Sequence, residues 1–307
     1  MKLHEQLLSK NGLATVKLSK ELLKYSIGDR LPTVSEFTET LGLVRGTEQN
    51  AMKNLIDSEA IRVESKGHLG SYLVKKNTKM LLNYAGIDSL VGAMPLPYSK
   101  RYEGLATGLI ASMENKYNIP INLAYMRGAK SRLAMMIQGR YDFAIVSRYA
   151  AEEFAKEHDE IEIAVSLGNG SYLSDHVIMF HNSKDTEIKD GMKIGIDSTS
   201  LDQRNLCEYV CRGKNVEFVE LEYSTILTRV MEGEIDATVM NIDEALDKKI
   251  KINYQEIKGG PKTNTEAVIV VSKAESELSY LLRELVDRET VLNVQKLVLE
   301  GRITPSY

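Results

Sequence analysis

Polar and charged residues recur in this chain just after short apolar runs. Pro97, Tyr98, Ser99 and Lys100 follow Leu90 to Met94, Arg127 and Gly128 follow Ile121 to Met126, and Ser147 and Arg148 follow Phe143 to Val146. A second series repeats the arrangement: Asp197, Ser198, Thr199 and Ser200, then Glu222, Tyr223 and Ser224, then Asn241 and Asp243. Hydroxyls and free backbone N–H groups at helix starts, joined by an arginine fork, suit the oxygens of a carboxylate or phosphate. Asp197, Glu222 and Asp243 suit an ammonium. These residues therefore point to recognition of a small anionic or amino-acid-like molecule.

Bond-making chemistry has less support. The five histidines, His4, His68, His158, His176 and His181, have no metal-ligand spacing, and neither a Gly-x-Ser-x-Gly elbow nor a Gly-x-x-x-x-Gly-Lys phosphate cradle occurs. On a strand, Asp175 and His176 point to opposite faces. Cys207 and Cys211 lie one helical turn apart without a paired base, which makes them packing material. No catalytic residue, metal or cofactor is expected; a bilobal solute-binding-like enzyme is the alternative reading.

A third set of residues suits DNA. Thr33 and Ser35 follow Gly28-Asp29-Arg30-Leu31-Pro32, Arg45 and Thr47 flank Gly46, Gln49, Asn50 and Lys53 follow, and Lys66 and His68 flank Gly67. Pro32 and a Thr33 or Ser35 cap start a short helix through Phe37 and Leu41, which Gly42 ends. A second helix opens at Thr47. Its Ala51, Leu55 and Ile56 face the core, so that Thr47, Glu48, Gln49, Asn50 and Lys53 turn outward as readers of base edges. Ile61, Val63, Tyr72 and Val74 alternate across a glycine tip, the pattern of a two-stranded wing.

The elements that position the small-molecule set contain an internal repeat. Ser131 through Gly139-Arg140-Tyr141-Asp142 to Ser147 aligns with Thr225 through Gly233-Glu234-Ile235-Asp236 to Asn241, and both read as helix, Gly-x-x-Asp turn and buried strand. Each is preceded by a strand (Ile121 to Met126; Val216 to Tyr223) and, before that, by a strand and helix: Leu90 to Met94 with Tyr102 to Tyr117, and Lys193 to Ile196 with Asp202 to Cys211. Two successive β-α-β-α-β units imply two parallel-sheet lobes facing across a cleft. Gly168-Asn169-Gly170-Ser171 and Gly259-Gly260-Pro261 are the expected hinge strands.

The N-terminal motifs resemble the GntR family of bacterial transcription regulators, with its Gly-Asp-Arg-Leu-Pro-Ser, Gly-Val-Ser-Arg-Gly-Thr and Gly-Thr-Phe-Val signatures. Val34-Ser35 and Glu48-Gln49 depart from that pattern, which puts arginines there; Arg45, Thr47 and Lys66 match it. The remainder resembles the type 2 periplasmic-binding-protein fold of solute receptors and LysR-type effector domains. Met94-Pro95-Leu96-Pro97-Tyr98, Tyr102-Glu103-Gly104-Leu105-Ala106, Met126-Arg127-Gly128-Ala129 and the terminal Pro305-Ser306-Tyr307 resemble the YhfZ group of regulators.

The expected architecture is thus α/β: a winged helix-turn-helix over 1–76, a linker over 77–82, and a two-lobed type 2 periplasmic-binding-protein-like domain over 83–307. Lobe I takes about 83–170 and 264–307, and lobe II about 171–263. Residues 1–76 hold 12 Lys and Arg against 9 Asp and Glu, a net of +3, and the rest 27 against 34, a net of −7, so only the first part suits phosphate. The N-terminus lacks a signal-peptide layout and no apolar run is long enough for a bilayer, which implies a cytoplasmic protein without a membrane partner. A homodimer on palindromic operator DNA, governed by a small effector, is the expected function; a dimeric scaffold that does not bind DNA is the second alternative.

Overall fold

The computed structural model describes residues 7–117, 119–259 and 262–307. His4, and Gly260 and Pro261 of the second expected hinge, lie outside the described residues. The chain divides into two compact units, Met1–Leu90 with Glu114–Pro120, and Val91–Met113 with Ile121–Tyr307.

The first unit holds helices α1 (Lys10–Leu22), α2 (Val34–Leu41) and α3 (Arg45–Asp57), strands β1 (Ile61–Ser65) and β2 (Ser71–Lys76), and helix α4 (Thr78–Ala85). Thr33 caps α2 reciprocally: its hydroxyl accepts from Glu36 N, and the Glu36 carboxylate accepts from Thr33 N. Gly42 closes the helix in the left-handed conformation, φ 61°. Leu18, Leu22, Phe37, Ala51, Leu55, Leu73 and Leu81 form the core. β1 and β2 pair antiparallel from Ile61 opposite Lys76 to Ser65 opposite Ser71, with a helical turn over Gly67–Leu69 at the tip.

Two expectations change here. α3 starts at Arg45, two residues before the expected Thr47, with Val44 as its N-cap. Residues 77–82, expected as a linker, are helical from Thr78: the Asn77 side chain accepts from Met80 N, and Leu81 and Leu82 are buried. Their polar start is a capping signal.

The second unit continues with β3 (Leu90–Met94), α5 (Lys100–Tyr117), β4 (Ile121–Tyr125), α6 (Ala129–Ile137), β5 (Phe143–Ser147), α7 (Arg148–Ala155) and β6 (Ile161–Ser166). β7 (His176–Phe180), β8 (Lys193–Ile196), α8 (Leu201–Val210), β9 (Glu217–Glu220), α9 (Tyr223–Glu232), β10 (Ala237–Asn241), α10 (Ile242–Asp247) and β11 (Asn253–Glu256) follow. β12 (Ala267–Ser272), α11 (Ser276–Leu285) and α12 (Arg288–Leu299) complete it.

The strands form two sheets, ordered β4-β3-β5-β12-β6 and β11-β7-β10-β8-β9. Both are mixed, which corrects the expectation of parallel sheets. β3 with β5, β10 with β8 and β8 with β9 pair parallel, as the repeat implied. β12 runs antiparallel to β5 and β6, and β7 antiparallel to β10 and β11. The added strands lie outside the repeat, where the chain crosses from one sheet to the other. The expected strand Val216 to Tyr223 is also shorter, because Tyr223 opens α9.

The repeated Gly-x-x-Asp turn has a specific task in each sheet. Asp142 accepts Val91 N on its carboxylate at 2.7 Å and donates its own N–H to Val91 O at 2.8 Å. Asp236 does the same with Lys193, at 2.7 and 2.8 Å. Each aspartate thereby locks the start of its strand to the start of the neighbouring parallel strand and fixes their relative register. The first crossover, residues 167–175, is bonded to the end of the second and to the start of β12: Tyr172 N donates to Thr265 O at 2.8 Å, and Leu167 N to Ala267 O at 3.0 Å. Gly168 and Gly170 take positive φ, 86° and 77°, in the first.

Candidate functional site

Thr33, Ser35, Arg45, Gln49, Asn50, Lys53, Lys66 and His68 are exposed and Thr47 is half-buried, at the start of α2, along α3 and on the wing. Lys66 lies over the Tyr72 ring, its Nζ 4.5 Å from the centroid. Glu48, expected on this reading face, is instead fully buried at 0% exposure. It shares the stripe of Ala51 and Leu55, three and seven residues on, so helical period turns it inward. Neither carboxylate oxygen has a hydrogen-bond partner, and burial raises its pKa.

In the second unit the two lobes meet along strand ends and helix starts. The Ser147 hydroxyl lies 2.8 Å from both Asp202 oxygens, Arg127 Nη1 is 3.0 Å from Glu222, and Arg101 Nε is 3.0 Å from Asp243. Lys100 N donates to Asp247 at 2.7 Å, and the Tyr98 and Tyr223 rings tilt together at 5.4 Å. Gly128 approaches Thr199 so closely that a Cβ there would lie 2.9 Å from the Thr199 side chain.

Between the lobes lies a cavity of about 50 Å³. Tyr98, Tyr102, Tyr172 and Tyr223 wall it, and Arg132, His176, Asp197 and Asp202 bring charge or polarity to it. Arg132 is 3% exposed, yet among the described residues it bonds only to neutral oxygens: Ile145 O at 3.2 Å, Met126 O at 2.8 Å and Tyr172 Oη at 3.1 Å. Asp202 is 6% exposed. Burial pushes its carboxyl up to about 7, against the opposing pull of the Ser147 hydroxyl and the Arg132 charge. Asp197 is fully engaged, accepting from Thr199 N, Thr199 Oγ1 and Tyr223 N. His176 is held down to about 4 by burial, so its ring is neutral near pH 7.

Of the residues expected at the cleft, Tyr98, Arg127, Gly128, Asp197, Ser200 and Tyr223 line the cavity. The others do not. Arg148 is taken by Glu266, with Nε at 2.6 Å and Nη2 at 3.1 Å, and by Glu152. Ser99 is buried beneath the start of α5, and Asn241 caps α10 by accepting from Asp243 N. Pro97, Lys100 and Ser198 are exposed, Thr199 turns to Asp197, and Ser147 is occupied with Asp202. Strand-end position alone selected these residues, and capping or ion pairing had already claimed them. Arg132, Asp202, Tyr102, Tyr172 and His176 were missed. Arg132 stands one turn into the helix that follows Gly128, a helical offset that would have found it.

Cys207 and Cys211 are buried, and burial raises their thiols to about 12 and about 11. Among the described residues no group of three or more His, Cys, Asp or Glu is placed to hold a metal ion, and no helix is long and apolar enough to cross a membrane.

Comparison with known proteins follows the same division. The YhfZ C-terminal domain profile matches residues 77–307, and a helix-turn-helix domain profile matches residues 26–73. The YhfZ protein of Escherichia coli strain K12 is 34% identical over 307 residues, covering 98% of each chain. The crystal structure of YhfZ from Shigella flexneri superimposes with a TM-score of 0.62 at 34% identity, over 75% of this chain and 97% of that one. The Escherichia coli periplasmic aliphatic sulphonate binding protein SsuA shares the fold at a TM-score of 0.51 and 15% identity, over 70% of this chain and 75% of that one.

Proposed function

The chain belongs to the YhfZ family, and on that footing we propose that it is a DNA-binding transcription regulator governed by a small metabolite held between the lobes of its C-terminal domain. A helix-turn-helix and a binding-protein-like domain in one chain support a ligand-sensing DNA-binding role. The single observation that carries the reading further is the interlobe cavity with a buried arginine and a buried aspartate in its walls. Such charges cost free energy on folding unless something repays their burial.

In this reading the N-terminal unit is a GntR-type winged helix. Arg45 and Thr47 open the recognition helix, Gln49, Asn50 and Lys53 face the groove, and Lys66 and His68 carry the wing. A homodimer in the cytoplasm reads two half-sites. The effector is anionic or amino-acid-like. It binds the closed lobes more tightly than open ones, and that difference is all it can contribute to switching. The lobes carry the sensor and the winged helix the output, with no turnover of the ligand.

The test is DNA retardation by the full-length chain, first on random-sequence duplexes at low salt and then on a pool enriched through rounds of selection, with footprinting of the winners. Two protected half-sites about one helical turn apart are expected. Absence of binding to either pool at low salt would overturn the reading in favour of a dimeric scaffold.

A further inference from the structure

Arg132 and Asp202 face one cavity from opposite lobes, and neither is completed by the protein. Arg132 sits on α6 of the first lobe. Three of its N–H groups reach neutral oxygens, and a guanidinium has five. Among the described residues no carboxylate lies within 4.0 Å of it. Asp202 sits in the first turn of α8 of the second lobe, and one side-chain hydroxyl, that of Ser147, is shared between its two oxygens. The two residues are close enough for the arginine's charge to act on the carboxyl, but they form no ion pair. Burying opposite charges that do not touch is costly to both.

The other charged groups of the lining are already spent. Asp197 has three donors, and Arg127 at the rim is paired with the exposed Glu222. Inside the rim this leaves one unfinished cation and one unfinished anion. A simple anion would satisfy Arg132 and press a second negative charge toward Asp202 and Asp197. A simple cation would do the reverse to Arg132. A molecule that carries both signs on a short frame satisfies both walls, adds no net charge, and holds the lobes together by touching each.

We propose that the interlobe cavity binds a compact zwitterion, an amino acid with few side-chain atoms, with its carboxylate on Arg132 and its ammonium on Asp202. The size follows from a cavity of about 50 Å³, and the aromatic wall of Tyr98 and Tyr223 flanks the site. This rests on the reading of the second unit as a ligand sensor and narrows it from any small anion to one doubly charged class. Ser147 holds the Asp202 carboxylate in place from the opposite lobe, with its hydroxyl 2.8 Å from both oxygens.

The experiment is calorimetric titration and thermal unfolding of the full-length chain at about 10 mM probe and constant ionic strength. Glycine, L-alanine, D-alanine and β-alanine are compared with propionate and propylamine, which carry one charge each. At least one zwitterion is expected to bind about tenfold or more tightly than either singly charged probe. Asp202→Asn, close in shape, should remove that advantage by weakening the zwitterion, while propionate binds at least as tightly as to the wild type. Arg132→Gln should weaken the zwitterions and propionate alike; if it does not fold, the wild-type comparison stands alone. Binding of propionate or propylamine as tight as that of the best zwitterion, or no shift with any of the four zwitterions, would overturn the proposal. DNA retardation by the same sample separates the two readings: DNA binding without zwitterion binding sinks only this inference, and zwitterion binding without DNA binding sinks only the regulator.

Discussion

Ser147 and Asp202 join the two lobes through one hydroxyl that reaches both carboxylate oxygens at 2.8 Å. The bond lies on a carboxyl whose burial raises its pKa from 3.8 to about 7. Below the lower value the group is protonated in both folded and unfolded chains and has no effect on stability. As pH rises toward 7 the unfolded chain ionises first, so a penalty on the folded state grows and is complete above about 7. Asp202→Asn, which imitates the protonated group, should therefore stabilise the ligand-free chain at pH 8 by up to a few kcal/mol and have little effect near pH 4. Urea unfolding of both proteins at the two pH values checks this; a pH-independent difference would mean that Asp202 does not titrate in that range.

Glu48 should act in the same direction from inside the winged helix. Its carboxylate is buried without a partner and its pKa is raised by desolvation. Glu48→Met keeps the length and removes the charge, and we expect a gain of about 1–3 kcal/mol near neutral pH that shrinks toward acid. Denaturant curves at pH 5 and pH 8 would show it. Destabilisation at both values would mean that the carboxylate has a partner in solution.

Arg45→Ala and Lys66→Ala address the DNA face. If each side chain contacts a phosphate, the plot of log affinity against log salt becomes shallower by about one unit per substitution. If Arg45 reads a base, the slope holds and sequence preference relaxes instead. Unchanged slope together with unchanged preference in either variant would remove that residue from the interface.

Gly92 tests the packing that fixes the first lobe. A methyl on this β3 residue would fall inside van der Waals contact of the Phe143 ring on β5. Gly92→Ala is expected to cost about 1–3 kcal/mol by overpacking. Phe143→Leu in the same chain should recover part of that loss, measured as a coupling energy in a double-mutant cycle. Simple additivity would show that the ring moves aside freely.

Local sequence carried the fold a long way. Glycine, proline and capping residues marked the winged helix, and the repeat marked both β-α-β-α-β units, because these signals depend on neighbours within one or two turns. Strand direction at β7 and β12 was not legible, since a sheet's added strands arrive from distant sequence with no local mark. The cleft was legible in kind but less so in membership. Arg148 and Asn241 have the right types at strand ends, yet Glu266 and the start of α10 claim them. Arg132 and Asp202 reach the cavity from the first turns of α6 and α8, where sequence alone gives arginine and aspartate an exposed reading.

The position of β12 determines the order in which the lobes can be finished. It lies between β5 and β6 in the first sheet, but its residues come after the whole of the second sheet. As the chain leaves the ribosome, the second lobe has all its strands in one uninterrupted stretch, β7 to β11, and can close while the first still has a gap in its middle. Until residues 267–272 emerge, β5 and β6 present unpaired edges to each other and to other nascent chains. The half begun first is thus the half completed last.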